Sequence, residues 1–321
     1  SRSSAASDVY KRQYISKSGK CTPYMGRFWS GCAKMAKRGL EISGIGLIDM
    51  GLHTCFHLEA VQTPPTKTLE QVKYTLIDWY LHVLRTRKEK LLRLTNYVVA
   101  DAYFSKSTFV DGALEMGFHV ISRFRDDAYF RYLTAEQSTG KRGRPKLYDG
   151  KIEIKHLEED RFEIINLENG QGRILSAVVH SRSLSRDILL CIWESEDKKV
   201  HKLYFSTDIQ MKAIDVLDFY KTRFQVEFCF RDSKQFTGLT NCQSRDIDKL
   251  HFHFNASLTS VNLAKVKALE KGTLLSMASV KVLCHNIFLM QRFISVLGIE
   301  PNPEINRKLW EETIKFAAIA A

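Results

Sequence analysis

The chain has 321 residues, 44% of them hydrophobic, with 48 Lys and Arg against 36 Asp and Glu. That is long enough for a substantial core and too apolar for a disordered chain, and the net charge of +12 favours a polyanionic partner, nucleic acid first. Seven cysteines, an odd number without a C-x-x-C pair, read as reduced thiols, and with no uninterrupted apolar run of 18 residues or leader peptide this suggests a cytoplasmic protein with no membrane span.

Residues 1–13, SRSSAASDVYKRQ, show neither helix nor strand period and look like a non-native leader, so the folded chain is expected to begin near Tyr14. Residues 40–49 (LEISGIGLID) and 55–63 (CFHLEAVQT) predict two strands joined by a turn at Met50-Gly51. After Pro64-Pro65, the apolar positions Leu69, Val72, Leu76, Trp79, Tyr80, Val83 and Leu84 predict one long helix over 66–93. A short apolar run, Tyr97-Val98-Val99-Ala100, then ends in Asp101. A helix over 105–116 and a strand over 118–122 follow, running into Arg123 and Arg125.

Residues 147–206 change character to about five alternating runs separated by Asp149-Gly150, Asn169-Gly170 and the turn at 195–198, a β-rich insertion. Two helical stripes, 256–269 and 274–296, close the chain. His251 and His253 lack partners at zinc-ligand spacing. Lys17 to Lys20 lack the glycine and hydroxyl pattern of a phosphate-binding loop.

The most specific pattern lies in residues 218–239, DFYKTRFQVEFCFRDSKQFTGL, where Tyr220, Arg223, Glu227 and Lys234 are separated by three, four and seven positions. At about 100° per residue, one helix would gather all four within about 60° of arc. Phe219, Phe224, Val226, Phe228 and Phe230 surround them, so Glu227 is expected to be a buried acid. Such an acid persists only when paired, here with Arg223 at i,i+4, or bound to a metal.

The spacing Y-x2-R-x3-E-x6-K resembles the signature of the DDE transposases of the IS-four family of bacterial insertion sequences. The resemblance implies that Glu227 binds metal, while Tyr220, Arg223 and Lys234 contact transposon-end DNA. It also implies an RNase H-like α/β core, a mixed sheet flanked by helices, with its β insertion between the second catalytic Asp and the catalytic Glu. The core would comprise residues 14–146 and 207–321, and the insertion 147–206. The element order matches that fold lacking its first strand.

Asp101, in VVADAYFSK, falls where the family has its second Asp, although an acid ending a strand is also a common turn or N-cap residue. The family holds two magnesium or manganese ions on three carboxylates, hard oxygen ligands suited to those ions. Asp49 is an unlikely substitute for the first Asp: it ends what counts as the second strand and reads as a turn residue. The segment YISKSGK, 14–20, resembles a family stretch whose Asp precedes the aromatic by three positions, which is Lys11 here. The first ligand is therefore expected to be missing, together with the true N-terminus and a DNA-recognition domain.

Arg142 and Arg144 in Lys-Arg-Gly-Arg-Pro-Lys form an AT-hook-like core that reads either as a minor-groove contact or as a solvated basic loop. Trp193 reads as a core residue, or as the stacking aromatic that related transposases use on an extruded base. The resulting expectation is a DNA transposase, acting as a homodimer on two element ends and inactive in this form. The alternatives are a non-catalytic DNA-binding protein and a magnesium-dependent nuclease of the same fold.

Overall fold

The strand expected to be absent is present, and it is formed by residues set aside above. The computed structural model describes residues 6–31, 33–134, 146–270, 272, 276–298, 304, 307, 308 and 312. It opens with β1 (Ala6–Ser16), β2 (Gly26–Ser30), β3 (Met35–Asp49) and β4 (Thr54–Gln62). β1 pairs antiparallel with β3, from Ala6 opposite Asp49 to Ser16 opposite Gly39, and parallel with β5 (Tyr97–Ala100). The cause is tertiary. In β5, Val98, Val99 and Ala100 are all 0% exposed, and a strand buried this deeply needs a hydrogen-bonded neighbour on each edge. Residues 6–16 supply one of them, so they belong to the sheet.

The chain divides into two compact units, residues 1–20 with 24–226 and residues 21–23 with 227–321. In the first, β4, β3, β1, β5 and β6 (His119–Arg123) lie side by side, the last three mutually parallel and β3 antiparallel to its neighbours, the RNase H-like order.

The helix expected over 66–93 is three: α1 (Thr66–Gln71), α2 (Leu76–Arg85) and α3 (Lys88–Leu92). Lys73 takes a left-handed φ of 55°, and Thr75 and Asp78 form a reciprocal capping box that starts α2 afresh. α2 buries Ile77, Tyr80, Leu81 and Leu84, one face at helical spacing, and α4 (Ser107–Glu115) packs on it. Gly112 permits the approach, since a Cβ there would sit 2.7 Å from Leu81 Cδ1. Tyr80, Phe104, Phe109 and Phe118, all fully buried, fill the layer between these helices and the sheet.

The β-rich stretch does not close on itself. β7 (Phe130–Leu133), β8 (Tyr148–Lys151), β9 (Glu163–Asn166), β10 (Arg173–Ser181), β11 (Arg186–Glu194) and β12 (His201–Ser206) continue the core sheet, because β12 pairs antiparallel with β6 through Tyr204–Arg123 and Phe205–Ser122. Among the described residues the result is one twelve-stranded sheet. Its β9–β10 turn depends on Gly172, with φ of 87° and a built Cβ only 2.0 Å from the Glu194 carbonyl oxygen. Gly172→Ala is expected to cost about 3 kcal/mol, from the clash plus the strained φ. A urea midpoint unchanged from the parent would refute it.

In the last part of the first unit, α5 (Ala213–Thr222) packs on the sheet through Val216, Leu217 and Phe219. α6 (Gln225–Phe236), α7 (Ile247–Glu270) and α8 (Met277–Leu297) follow. In the second unit, Val261, Ala264 and Met277 form a small core with Phe236 and Val280. Contrary to the expectation that no segment could span a membrane, α8 is long and apolar enough to do so, by length and composition alone.

Candidate active site

Asp101 is fixed by the sequence that follows it. Ala102–Phe104 forms a 3-10 turn, and Asp101 Oδ1 accepts the Tyr103 N–H at 2.8 Å. The Asp101 main-chain carbonyl accepts the Ser122 hydroxyl of β6 at 3.1 Å. The N-cap role thus occupies one carboxylate oxygen, and Oδ2 takes no part in that bond. The Tyr103 ring beside it carries two cations, Arg12 at 3.9 Å and Lys106 at 4.4 Å from its centroid.

The register of β1 against β5 places the position three before Tyr14. Tyr10 stands across from Ala100, where the pairing ends, and the next residues along the two chains are Lys11 and Asp101. Asp8, the acid within β1, is across from Val98 instead. Asp49 ends β3, and its Oδ1 accepts the N–H groups of Gly51 and Leu52 at 2.9 and 3.0 Å, capping the turn.

Tyr220 and Arg223 close α5 within the same unit. The Arg223 guanidinium, 9% exposed, lies 5.1 Å from the Tyr220 ring centroid, and that ring stands 4.9 Å from Tyr204 of β12. Tyr204 is in register with Arg123. Burial pushes the Tyr220 phenol above its ordinary value; Arg223 and Arg123 pull it back, while Asp101 pushes it up. Burial likewise lifts Tyr204 to about 12, with Tyr220 adding to the shift and Arg123 opposing it. Asp101, Arg123, Tyr220 and Arg223 therefore share one electrostatic neighbourhood. Arg123 and Tyr204 carried no motif; the signal available was a cation closing an apolar strand.

The single helical stripe over Tyr220–Lys234 is corrected by the backbone. Residues 223 and 224 form a turn between α5 and α6, in which Phe224 and Val226 bond the carbonyls of Lys221 and Arg223, three residues back. No Pro or Gly marks this break. Two pairs result, Tyr220 with Arg223 at the end of α5, and Glu227 with Lys234, seven apart on one face of α6. Glu227 is half-buried rather than buried, and Phe224, expected in the apolar surround, is 49% exposed. Glu227 and Lys234 belong to the second unit.

Arg142 and Arg144 lie outside the described residues. Trp193 is half-buried, its indole N–H donating to the Gln171 carbonyl at 2.9 Å and Lys202 lying 5.4 Å from its ring centroid. His253 Nε2 is 2.9 Å from the Gly238 carbonyl oxygen. Among the described residues, no group of three His, Cys, Asp or Glu is placed to hold a metal ion.

No curated protein matches the chain. A family model described as the transposase DDE domain matches residues 51–263, more than half of the sequence. The match starts just past β3 and takes in Asp101, the β insertion and the whole of Tyr220–Lys234. The chain belongs to the transposase DDE domain family.

Proposed function

We propose that this chain is the catalytic core of an IS-four-type DDE transposase whose ion-binding site lacks its first carboxylate. In this reading Asp101 and Glu227 are the two remaining ligands for magnesium or manganese. Tyr220, Arg223 and Lys234 hold phosphates of element-end DNA. An enzyme of this kind would work in the bacterial cytoplasm as a homodimer on two ends. The observation that carries the reading is the family match over residues 51–263, which contains Asp101 and the Y-R-E-K residues; the pairing of β1 with β5 supports it, since Lys11 follows Tyr10 as Asp101 follows Ala100.

DDE transposases use divalent ions, but the residues present do not fit a two-ion site. Three carboxylates are needed, and the position three before Tyr14, where the resemblance expects the first of them, is a lysine, whose charge opposes a divalent cation. No cleavage step is therefore assigned to this chain. The same lysine favours a second reading, a non-catalytic DNA-binding protein that keeps the fold and its cationic surfaces.

The test is the Lys11→Asp chain incubated with magnesium and DNA carrying the element's terminal repeats. Strand transfer supports the transposase; cleavage without joining points to a nuclease; binding alone supports the second reading. Absence of DNA binding by both the parent and the Lys11→Asp chain would sink all three.

A further inference from the structure

Beyond the Y-R-E-K residues, a separate group of cations is organised around one tyrosine in the β insertion. Tyr129 precedes β7, and the cationic groups of Arg131, Arg182 and Lys151 lie 5.5, 5.5 and 5.6 Å from its ring centroid. Arg131 is also 5.2 Å from the Tyr148 ring. The backbone fixes the arrangement: Arg131 and Lys151 are paired across β7 and β8, and the Arg182 N–H donates to the Tyr129 carbonyl at 3.1 Å.

Among the described residues, Arg131 and Arg182 have no carboxylate within ion-pair distance, and Lys151 reaches Glu153 only at 4.0 Å. Cations held on an aromatic face, two of the three without an acid partner, are poised for an external anion. Beside them runs an open groove of about 480 Å³ lined by Ala102, Ser105, Arg125, Tyr129, Arg182 and Ser183, with Asp127 as the one acid in its wall. One end of this groove is the 3-10 turn that Asp101 caps, where the Ser105 hydroxyl is 3.0 Å from that of Ser122.

We propose that this groove and the Tyr129 cation cluster form a phosphate-binding track, which carries a DNA strand from the Asp101 end of the sheet onto the β insertion. The track rests on the DNA-processing reading above and adds to it a site that the family motif does not contain. The ring of Tyr129 serves to position the three cations. Recognition is therefore of the phosphodiester backbone and independent of base sequence.

The track is tested by fluorescence anisotropy on the full chain, with a duplex of about 30 base pairs and a single strand of equal length, between about 50 and 200 mM KCl. Arg131→Gln/Arg182→Gln is expected to reduce the slope of log K against log salt by about 2 on duplex, two phosphate contacts at about 0.9 each. The loss should be equal for unrelated sequences, and Tyr129→Phe, which keeps the ring, should bind as the parent does. If the double variant fails to fold, Arg182→Gln alone, at an exposed position, should reduce the slope by about 1. An unchanged slope with normal parental binding overturns the track alone. A parent that binds no DNA at any salt concentration overturns the track and the functional reading together.

Discussion

Lys11→Asp is expected to turn a chain that leaves DNA intact into one that nicks it when magnesium is present. The substitution puts a carboxylate on β1 one residue past the Tyr10–Ala100 pair, as Asp101 is one residue past it on the neighbouring strand, and it removes a positive charge from that position. Metal ions contribute several kcal/mol to phosphodiester cleavage, and about 4 kcal/mol corresponds to roughly a thousandfold in rate. Adding Asp101→Asn to the same chain should return nicking to background, and so should chelation of the ion. Conversion of supercoiled plasmid to open circles provides the readout. Magnesium-dependent nicking by the unaltered chain would show that Lys11 is no obstacle and that the missing ligand was misplaced.

Arg12→Ala is expected to be the most destabilising single change in the first unit. Glu41 is 4% exposed, and its Oε1 accepts the hydroxyl of the fully buried Tyr80 at 2.9 Å. Burial raises the Glu41 carboxyl above its ordinary value, and the neighbouring Arg12 charge is the largest influence holding it down. Arg12 itself is half-buried, and removing the charge that offsets a buried carboxylate leaves that carboxylate uncompensated, at a cost of about 3 kcal/mol. The pH dependence has a definite sign. An acid whose folded pKa is raised binds its proton more tightly in the folded state, so its contribution to stability is present at low pH and is lost as pH rises through the folded value. Without Arg12 the folded value rises further, so the deficit against the parent should grow between about pH 5 and pH 8. Urea unfolding at those two pH values provides the check, and equal deficits would contradict it. Arg12→Leu/Glu41→Leu should recover most of the loss, since replacing a whole buried pair by apolar residues is often neutral.

How much of this could be read in the residues depended on whether the cause was local. The apolar runs at 40–49 and 97–100 form strands because their own pattern demands burial, and Asp101 ends one of them as read. The Thr75–Asp78 capping box was present in the sequence, yet the apolar stripe over 66–93 concealed that it starts a new helix. β1 could not be read at all: its alternation is weak, and its place is decided by the free edges of β3 and β5. The turn at Arg223–Phe224 is of the same kind, with neither Pro nor Gly to announce it. The offsets of Tyr220, Arg223, Glu227 and Lys234 identified the family, while their common helical face did not survive.

The zipping of β12 onto β6 has a consequence for how such an insertion can be removed. Without β12, the central strand His119–Arg123 would present a bare row of main-chain donors and acceptors along an apolar strand, and such edges template aggregation. The β-rich segment thus works as a selvedge, finishing a margin that would otherwise fray into neighbouring molecules. A deletion that joins residue 123 to residue 207 should yield an aggregating chain rather than a smaller soluble core, whereas one that spares β12 keeps the margin sewn.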